Sequence, residues 1–255
     1  MNDPLVILHE DAHCLAVVKP PGQFTQGDWA PPDEITLETA VRRYLDPADP
    51  GAVYLGIVHR LDRPTSGLLI WAKTPKAARR LASQFERRRV FKEYWAVVES
   101  GTSSADHDAG RRDENWTDWL TRPDRSGIVS AALPHATGAR EAITAVRFEE
   151  AEVLPPQCCW LRLWPQTGRT HQLRVQAARR GWPILGDRIY GSTASAVLSR
   201  GIALHARALA FDHPSSGSPM RLVAPVPSTW KQAGIVLAEP LLADSLESVP
   251  QRPAG

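Results

Sequence analysis

One carboxylate dominates a chemical reading of this chain. Asp62 stands within His59 to Lys73, HRLDRPTSGLLIWAK, at a bend marked by Pro64, Thr65, Ser66 and Gly67. Proline presets one backbone angle and glycine permits unusual ones. The pattern therefore predicts a rigid turn between two apolar runs, Tyr54 to Val58 and Leu68 to Ala72. Placed between Arg60 and Arg63, Asp62 can be a structural acceptor of nearby amides, as Asp beside Pro, Thr and Ser often is. It can also be a nucleophile or a general base kept ionised by arginines. On spacing alone the structural reading leads.

Two further groups carry possible chemistry. Thr167 to Gly181 reads TGRTHQLRVQAARRG. On a helix, His171 and Arg174 share a face, while Leu173 and Ala177 turn toward a core. A solvated basic helix is one explanation. The other is an anion site, since Arg169, His171, Gln172 and Arg174 gather where helix dipole and donors favour negative charge. Val90 to Glu99, VFKEYWAVVE, reads as a strand that places Lys92, Tyr94 and Ala96 on one face and Glu93, Trp95 and Val97 on the other. Tyr94 beside Lys92 is either ordinary packing or an aromatic platform next to a phosphate contact. Arg79, Arg80, Arg87, Arg88, Arg89 and Lys92 form a basic cluster, with Arg80 and Arg87 on one helical face.

The elements that must position these groups follow from periodicity and turn residues. Short strands are predicted over Val6 to His9 and Cys14 to Lys19, then a turn at Pro20, Pro21 and Gly22. Residues 26 to 34 read as a loop and Leu37 to Leu45 as a helix. Thr74 and Pro75 mark a helix start, and Ala78, Leu81, Ala82 and Phe85 carry its period to about Arg88. Residues 100 to 114 read as a mobile loop. Strands are predicted over Phe91 to Glu99, Trp119 to Thr121, Ala142 to Phe148 and Trp160 to Trp164. A helix over Thr170 to Arg180 stops at Gly181 and Pro183. Leu204 to Phe211 and Met220 to Val223 read as a hairpin, and Ser228 to Ala238 as a closing helix. The strands bunch without regular alternation with helices. This predicts one α+β domain around a mixed sheet over residues 1–238, with 239–255 as a loose tail.

Bulk properties narrow the function classes. The 255 residues can bury a sizeable core, with 43% hydrophobic and 23% charged residues. A formal net charge of +2 leaves any nucleic-acid surface as a local patch. No apolar run approaches the roughly 20 residues a membrane span needs, and the first residues lack a secretory pattern. Cys14, Cys158 and Cys159 have no metal-type spacing and fit reduced thiols of a cytoplasmic protein.

Taken together, the turn, the Tyr94 strand and the Thr167 segment resemble the RluA family of RNA pseudouridine synthases. Its pattern is matched by VVKPPG at Val17 to Gly22, by HRLD-x-x-TSG at His59 to Gly67 and by K-x-Y at Lys92 to Tyr94. It is matched again by TGR-x-HQ-L-R-V at Thr167 to Val175, by PILGD at Pro183 to Asp187, and by YG at Tyr190 and Gly191. LHA, HP and AP-x-P follow at Leu204 to Ala206, His213 to Pro214, and Ala224 to Pro227. Many motifs in the right order are specific where any single one is not. The pattern departs at Val18, where asparagine is usual, at Gln176, where histidine is usual, and loosely between Gly101 and Arg140. These departures bear on the RNA target rather than on catalysis. The first motif begins so near residue 1 that no preceding S4 domain is expected.

The resemblance implies an α+β catalytic domain with a central mixed sheet, flanking helices and an active-site cleft. It implies Asp62 as the catalytic aspartate, Tyr94 stacking on the target uracil, and Arg174 pairing with the aspartate. Arg60 would fill the space of the flipped nucleotide and Leu173 would pack under the base, with His59, Lys92, Arg169 and His171 toward the RNA. The reaction cleaves the bond between ribose and nitrogen 1 of uracil, turns the base and rejoins the sugar to carbon 5. As an isomerisation it calls for no metal and no cofactor. The implied partner is ribosomal or transfer RNA, bound by a monomer. Two other classes remain: a non-catalytic RNA-binding or RNA-folding protein on this scaffold, and a glycosidase, which needs a second carboxylate as acid.

Overall fold

The computed structural model describes residues 4–27, 30–100, 112–193, 198 and 200–238. In chain order the elements are β1 (Val6–Glu10), β2 (Cys14–Lys19), α1 (Leu37–Leu45), β3 (Gly56–Ile57), β4 (Ser66–Ala72), α2 (Pro75–Glu86), β5 (Phe91–Glu99) and β6 (Arg112–Leu120). They continue with β7 (Ala131–Ala132), β8 (Arg140–Glu149), β9 (Cys158–Pro165), α3 (Gln172–Arg179), β10 (Leu204–Asp212), β11 (Pro219–Val223) and α4 (Ser228–Gln232). The architecture is α+β. These elements form two compact units, Met1–Lys92 with His205–Pro227, and Glu93–Leu204 with Ser228–Gly255.

In the first unit, the continuous apolar run of β4 marks it as a central strand, and all seven of its residues are buried. It pairs antiparallel with β2 and β3 and parallel with β10, while β1 and β11 extend the sheet antiparallel to β2 and β10. Helix α2 starts as the sequence predicts. Pro75 occupies the first turn, and the Thr74 hydroxyl accepts the Ala77 amide at 3.2 Å. Its buried face, Ala77 and Leu81, packs on Cys14, Ala16, Leu68, Ile70, Leu209 and Phe211. Each such large side chain contributes about 1.5–3 kcal/mol by leaving water.

The second unit is built on an antiparallel ladder in the order β5, β9, β8, β6, β7. Trp95 and Trp160 meet edge to face at 5.0 Å in its interior. Alternation on β5 holds at Glu93 and Trp95, which are buried. Glu93 is no solvated charge, because its carboxylate accepts from Arg162 and from the Trp95 indole, each at 2.8 Å.

Several boundaries move. Residues 112–114, expected in a loop, begin β6, whose nine residues pair throughout with β8. Its composition, RDENWTDWL, reads as polar loop, but the ladder overrides propensity. The rest of that loop expectation, 101–111, lies outside the described residues, as does the tail expected at 239–255. The closing helix stops at Gln232, because Gly234 adopts a left-handed conformation (φ 74°). Among the described residues, no helix is long and apolar enough to cross a membrane.

Candidate active site

Asp62 sits one step earlier in the bend than its sequence implies. Its carbonyl accepts the Thr65 amide at 3.0 Å, closing a turn over 62–65, while Ser66 and Gly67 already belong to β4. The loop of residues 19–25 grips both flanks of this turn. On one side, the Thr25 hydroxyl donates to the Leu61 carbonyl at 2.8 Å and accepts the Leu61 amide at 3.3 Å. On the other, the Arg63 carbonyl accepts from Lys19 Nζ at 3.0 Å and from the Gly22 amide at 2.9 Å. Gly22 can serve because its positive φ of 84° suits the residue after Pro20 and Pro21.

Lys19 is wholly buried, and its ammonium donates also to the carbonyls of Pro20 and Gln23, at 2.9 and 2.8 Å. Burial pushes its pKa down to about 7, against the pull of the Asp62 charge. Arg63 faces this same loop. Its Nε donates to the Gly22 carbonyl at 3.0 Å, and its guanidinium lies 4.7 Å from the Phe24 ring centroid.

The remaining sites expected in the first unit take distinct places. His59 has work in the fold. Its Nε2 accepts the Ile70 amide at 3.0 Å, and its ring stacks on Phe85 at 4.7 Å. Burial, then the nearby Lys92 charge, holds its pKa down at about 3, so it is neutral at ordinary pH. Arg60 is exposed, and so are Arg79, Arg87, Arg88 and Arg89. Arg80, expected on a ridge with Arg87, donates to the carbonyls of Pro214 and Ser215 at 2.6 and 3.3 Å. Its guanidinium braces the β10–β11 turn.

In the second unit the Thr167 segment folds as a hydrogen-bonded box. The Gln172 amide oxygen accepts the Thr167 hydroxyl at 2.7 Å and the Arg169 amide at 3.0 Å, while its nitrogen donates to Ile143 and Thr144. Arg169 Nε donates to the Glu141 carbonyl at 2.9 Å. This box launches α3 from His171, a left-handed residue (φ 54°) whose Nδ1 lies 2.8 Å from the Tyr190 hydroxyl. The helix is not a solvated basic face. Leu173 is buried, and Arg174 is 2% exposed with a fork engaged by Asp187 through Nε at 2.6 Å and Nη2 at 2.9 Å. The Tyr190 ring centroid lies 5.0 Å from that guanidinium. A buried arginine held by a carboxylate and an aromatic ring is a fixed positive charge. Tyr94, half-buried on β5, lies opposite Leu163.

Gln176, where the family pattern has histidine, packs inside the second unit. It is wholly buried, with its oxygen accepting the Thr144 hydroxyl and its nitrogen donating to Trp116, Asp118 and Ala142. This departure from the family pattern lies in the core of the second unit. Val18 likewise packs against the apolar cluster of the first unit.

The expected residues thus divide between the units, with His59, Arg60, Asp62 and Lys92 in the first and Tyr94, Arg169, His171, Leu173 and Arg174 in the second. Asp187 and Tyr190 stood in recognised motifs without a role, and so did Lys19. Thr25 carried no signal, since an isolated Thr in a loop has no periodicity or partner to read.

Sequence spacing also missed a cluster of His9, Asp11, Cys14 and His213, whose polar atoms lie within 4.8 Å of one another. His213 Nε2 is 2.6 Å from Asp11 Oδ2, a hydrogen-bond length shorter than two ligands of one ion allow. His213 Nδ1 accepts the Ser215 and Ser216 amides, so the proton sits on Nε2 and points at Asp11. Asp11 also accepts the amides of His13 and Cys14. The cluster is a hydrogen-bond hub that ties β1 and β2 to the end of β10.

Residues 13–179 match the family described as RNA pseudouridylate synthase. The ribosomal large subunit pseudouridine synthase D of Xylella fastidiosa is 34% identical over 258 residues, covering 92% of this chain and 70% of that one. The dual-specificity RNA pseudouridine synthase RluA of Escherichia coli K12 is 33% identical over 222 residues, covering 87% and 93%. Among solved structures, human RNA Pseudouridylate Synthase Domain Containing 1 superposes with a TM-score of 0.73 at 23% identity, covering 96% of this chain and 94% of that one, a likeness of fold.

Proposed function

This chain belongs to the RNA pseudouridylate synthase family, and from that footing we propose that Asp62, Tyr94 and Arg174 carry its reaction on a uridine of structured ribosomal or transfer RNA. The protein is an isomerase that forms pseudouridine in RNA. The uridine must leave its stack to expose the bond between ribose and nitrogen 1, at a cost of a few kcal/mol. Arg60, exposed beside the catalytic turn, fills the vacated space. Phosphate contacts from Arg79, Arg87, Arg88 and Arg89 offset the remainder. Tyr94 supplies the face on which uracil stacks, and Leu173 the apolar floor.

Asp62 attacks the sugar at carbon 1′ or removes the proton at carbon 2′. Either route needs the ionised carboxylate, and in the family pattern the arginine matched by Arg174 serves as its counter-ion. The observation that carries this reading is the setting of that arginine, buried and doubly hydrogen-bonded. Clamped by Asp187 and Tyr190, it is a preorganised charge and not a surface side chain that must be ordered during the reaction. The base then turns and carbon 5 bonds to the sugar, the carbon 5 proton being lost and nitrogen 1 gaining one.

The enzyme works as a monomer in the cytoplasm, where its RNA resides. Pseudouridine mapping of ribosomal and transfer RNA, with and without the gene, identifies the substrate. At least one site is expected to vanish on deletion. No change anywhere, together with no isomerisation of that RNA by the purified protein, overturns the reading in favour of a non-catalytic RNA-binding role.

A further inference from the structure

We propose that Thr25 is a positioning residue for catalysis, setting the backbone from which Asp62 projects; this rests on the reading of Asp62 as the catalytic carboxylate. A carboxylate that attacks or deprotonates one sugar carbon must be placed within about half an ångström. Asp62 stands on a turn rather than within a strand or helix, and turns are the mobile parts of a fold. Something must hold it.

Thr25 is buried at 4% exposure, and its one hydroxyl makes both possible bonds to the residue before Asp62, donating to the Leu61 carbonyl at 2.8 Å and accepting its amide at 3.3 Å. A side chain thus stands in for a strand partner and fixes the peptide entering the catalytic residue. Thr25 is itself anchored. Its carbonyl accepts the Glu38 amide at 3.0 Å and the neighbouring Phe24 carbonyl accepts the Leu37 amide at 2.9 Å. Both amides belong to the first turn of α1, where they lack helical partners. Helix α1 holds Thr25, Thr25 holds Leu61, and Leu61 orients Asp62. The chain leaving Asp62 is held separately, through the Asp62 carbonyl that accepts the Thr65 amide and through the Arg63 carbonyl one peptide later, while Thr25 holds the entering side.

A buried hydroxyl that bonds only backbone tunes geometry without touching RNA. The test compares wild type, Thr25→Val, Thr25→Ser and Asp62→Asn as full-length proteins. Each acts on total RNA from cells lacking the gene, with enzyme in excess and single-turnover pseudouridine formation as the readout. Thr25→Val keeps the shape and deletes both bonds. Its maximal rate is expected to fall at least about tenfold, as an ångström-scale misplacement of a reacting group does. The enzyme concentration giving half-maximal rate should stay within twofold of wild type, and Thr25→Ser should restore most of the rate. A Thr25→Val rate within twofold of wild type overturns the proposal. So does a loss carried only by affinity, or a Ser variant as slow as Val.

Hydrogen exchange on the wild-type protein is independent of whether Thr25→Val folds. The Leu61 amide should be protected like a strand amide, and exchange at an open-loop rate overturns the proposal as well. Asp62→Asn separates the two claims. If it is inactive while Thr25→Val is unimpaired, only the Thr25 proposal fails; if Asp62→Asn is active, the catalytic reading itself fails.

Discussion

At the residue scale, the site depends on charges removed from water and then satisfied by named partners. Asp187 is the sharpest case. Replacing it with Asn leaves the Arg174 guanidinium buried beside a neutral group, and losing one partner of a buried pair costs about 3–5 kcal/mol. Urea unfolding should show that loss. The double change Arg174→Met with Asp187→Leu should unfold at higher urea than Asp187→Asn, because both members of the buried pair are removed together. Histidine gives a second prediction. Burial holds His59 and His205 down at about 3, far below the ordinary value of 6.5. Below pH 6.5 the unfolded chain takes up protons that the folded chain refuses, so stability present above that pH is lost as pH falls toward 3. Asp11, held low by backbone amides and His213 despite its burial, pushes in the same direction at the acid end. Between pH 6 and 4 the unfolding free energy should drop by roughly 1.4–2.7 kcal/mol per pH unit, one to two protons' worth. A flat profile over that range contradicts the neutral, buried histidines. Candidate residues came forward where a motif carried them, as for Asp62 and Arg174. The sequence was silent for Thr25, whose importance lies in what folds against it.

At the element scale, the motif around Asp62 is as much a strand junction as a chemical signature. Ser66 and Gly67 pair with His205 and Ala206 of β10 in parallel register. Gly67 has φ 119°, and a Cβ there would lie 2.4 Å from the Ala206 carbonyl oxygen and 2.5 Å from its nitrogen. No flexible side chain can yield at that spot, since both atoms are backbone. Gly67→Ala is therefore predicted to abolish soluble folded protein or to cost more than about 4 kcal/mol. Ser66→Ala should cost only about 1–2 kcal/mol, by removing its 2.9 Å bond to His205. Comparative yields and thermal melts check both. The strands of apolar residues were legible because burial on both faces selects Val, Leu and Ile. Strand β6 was not, because alternate positions carry Asp113, Asn115 and Thr117 toward solvent while Trp116 and Leu120 turn inward. The segment reads as polar until its partner β8 is known. The turn at Asp62 was also misplaced by a step, since Ser and Gly serve a strand as readily as a bend when another backbone comes close.

At the scale of the whole molecule, composition excluded little beyond membrane spans and a global basic field. The near-neutral net charge hides a run of exposed arginines at the end of α2, a local surface suited to phosphate. The two-unit organisation was not legible either. Residues 205–227 fold with the first 92, and such long-range return leaves no periodic trace in sequence. The reaction came from several motifs in order, and the structure added groups that hold, such as Lys19, Thr25 and Asp187. The central claim is that Asp62 makes this protein a pseudouridine-forming enzyme. Its most direct test is pseudouridine mapping of ribosomal and transfer RNA from gene-deleted cells carrying either the wild-type gene or Asp62→Asn at equal protein level. Wild type should restore every site lost on deletion, and Asp62→Asn should restore none. Restoration by Asp62→Asn would contradict the account outright.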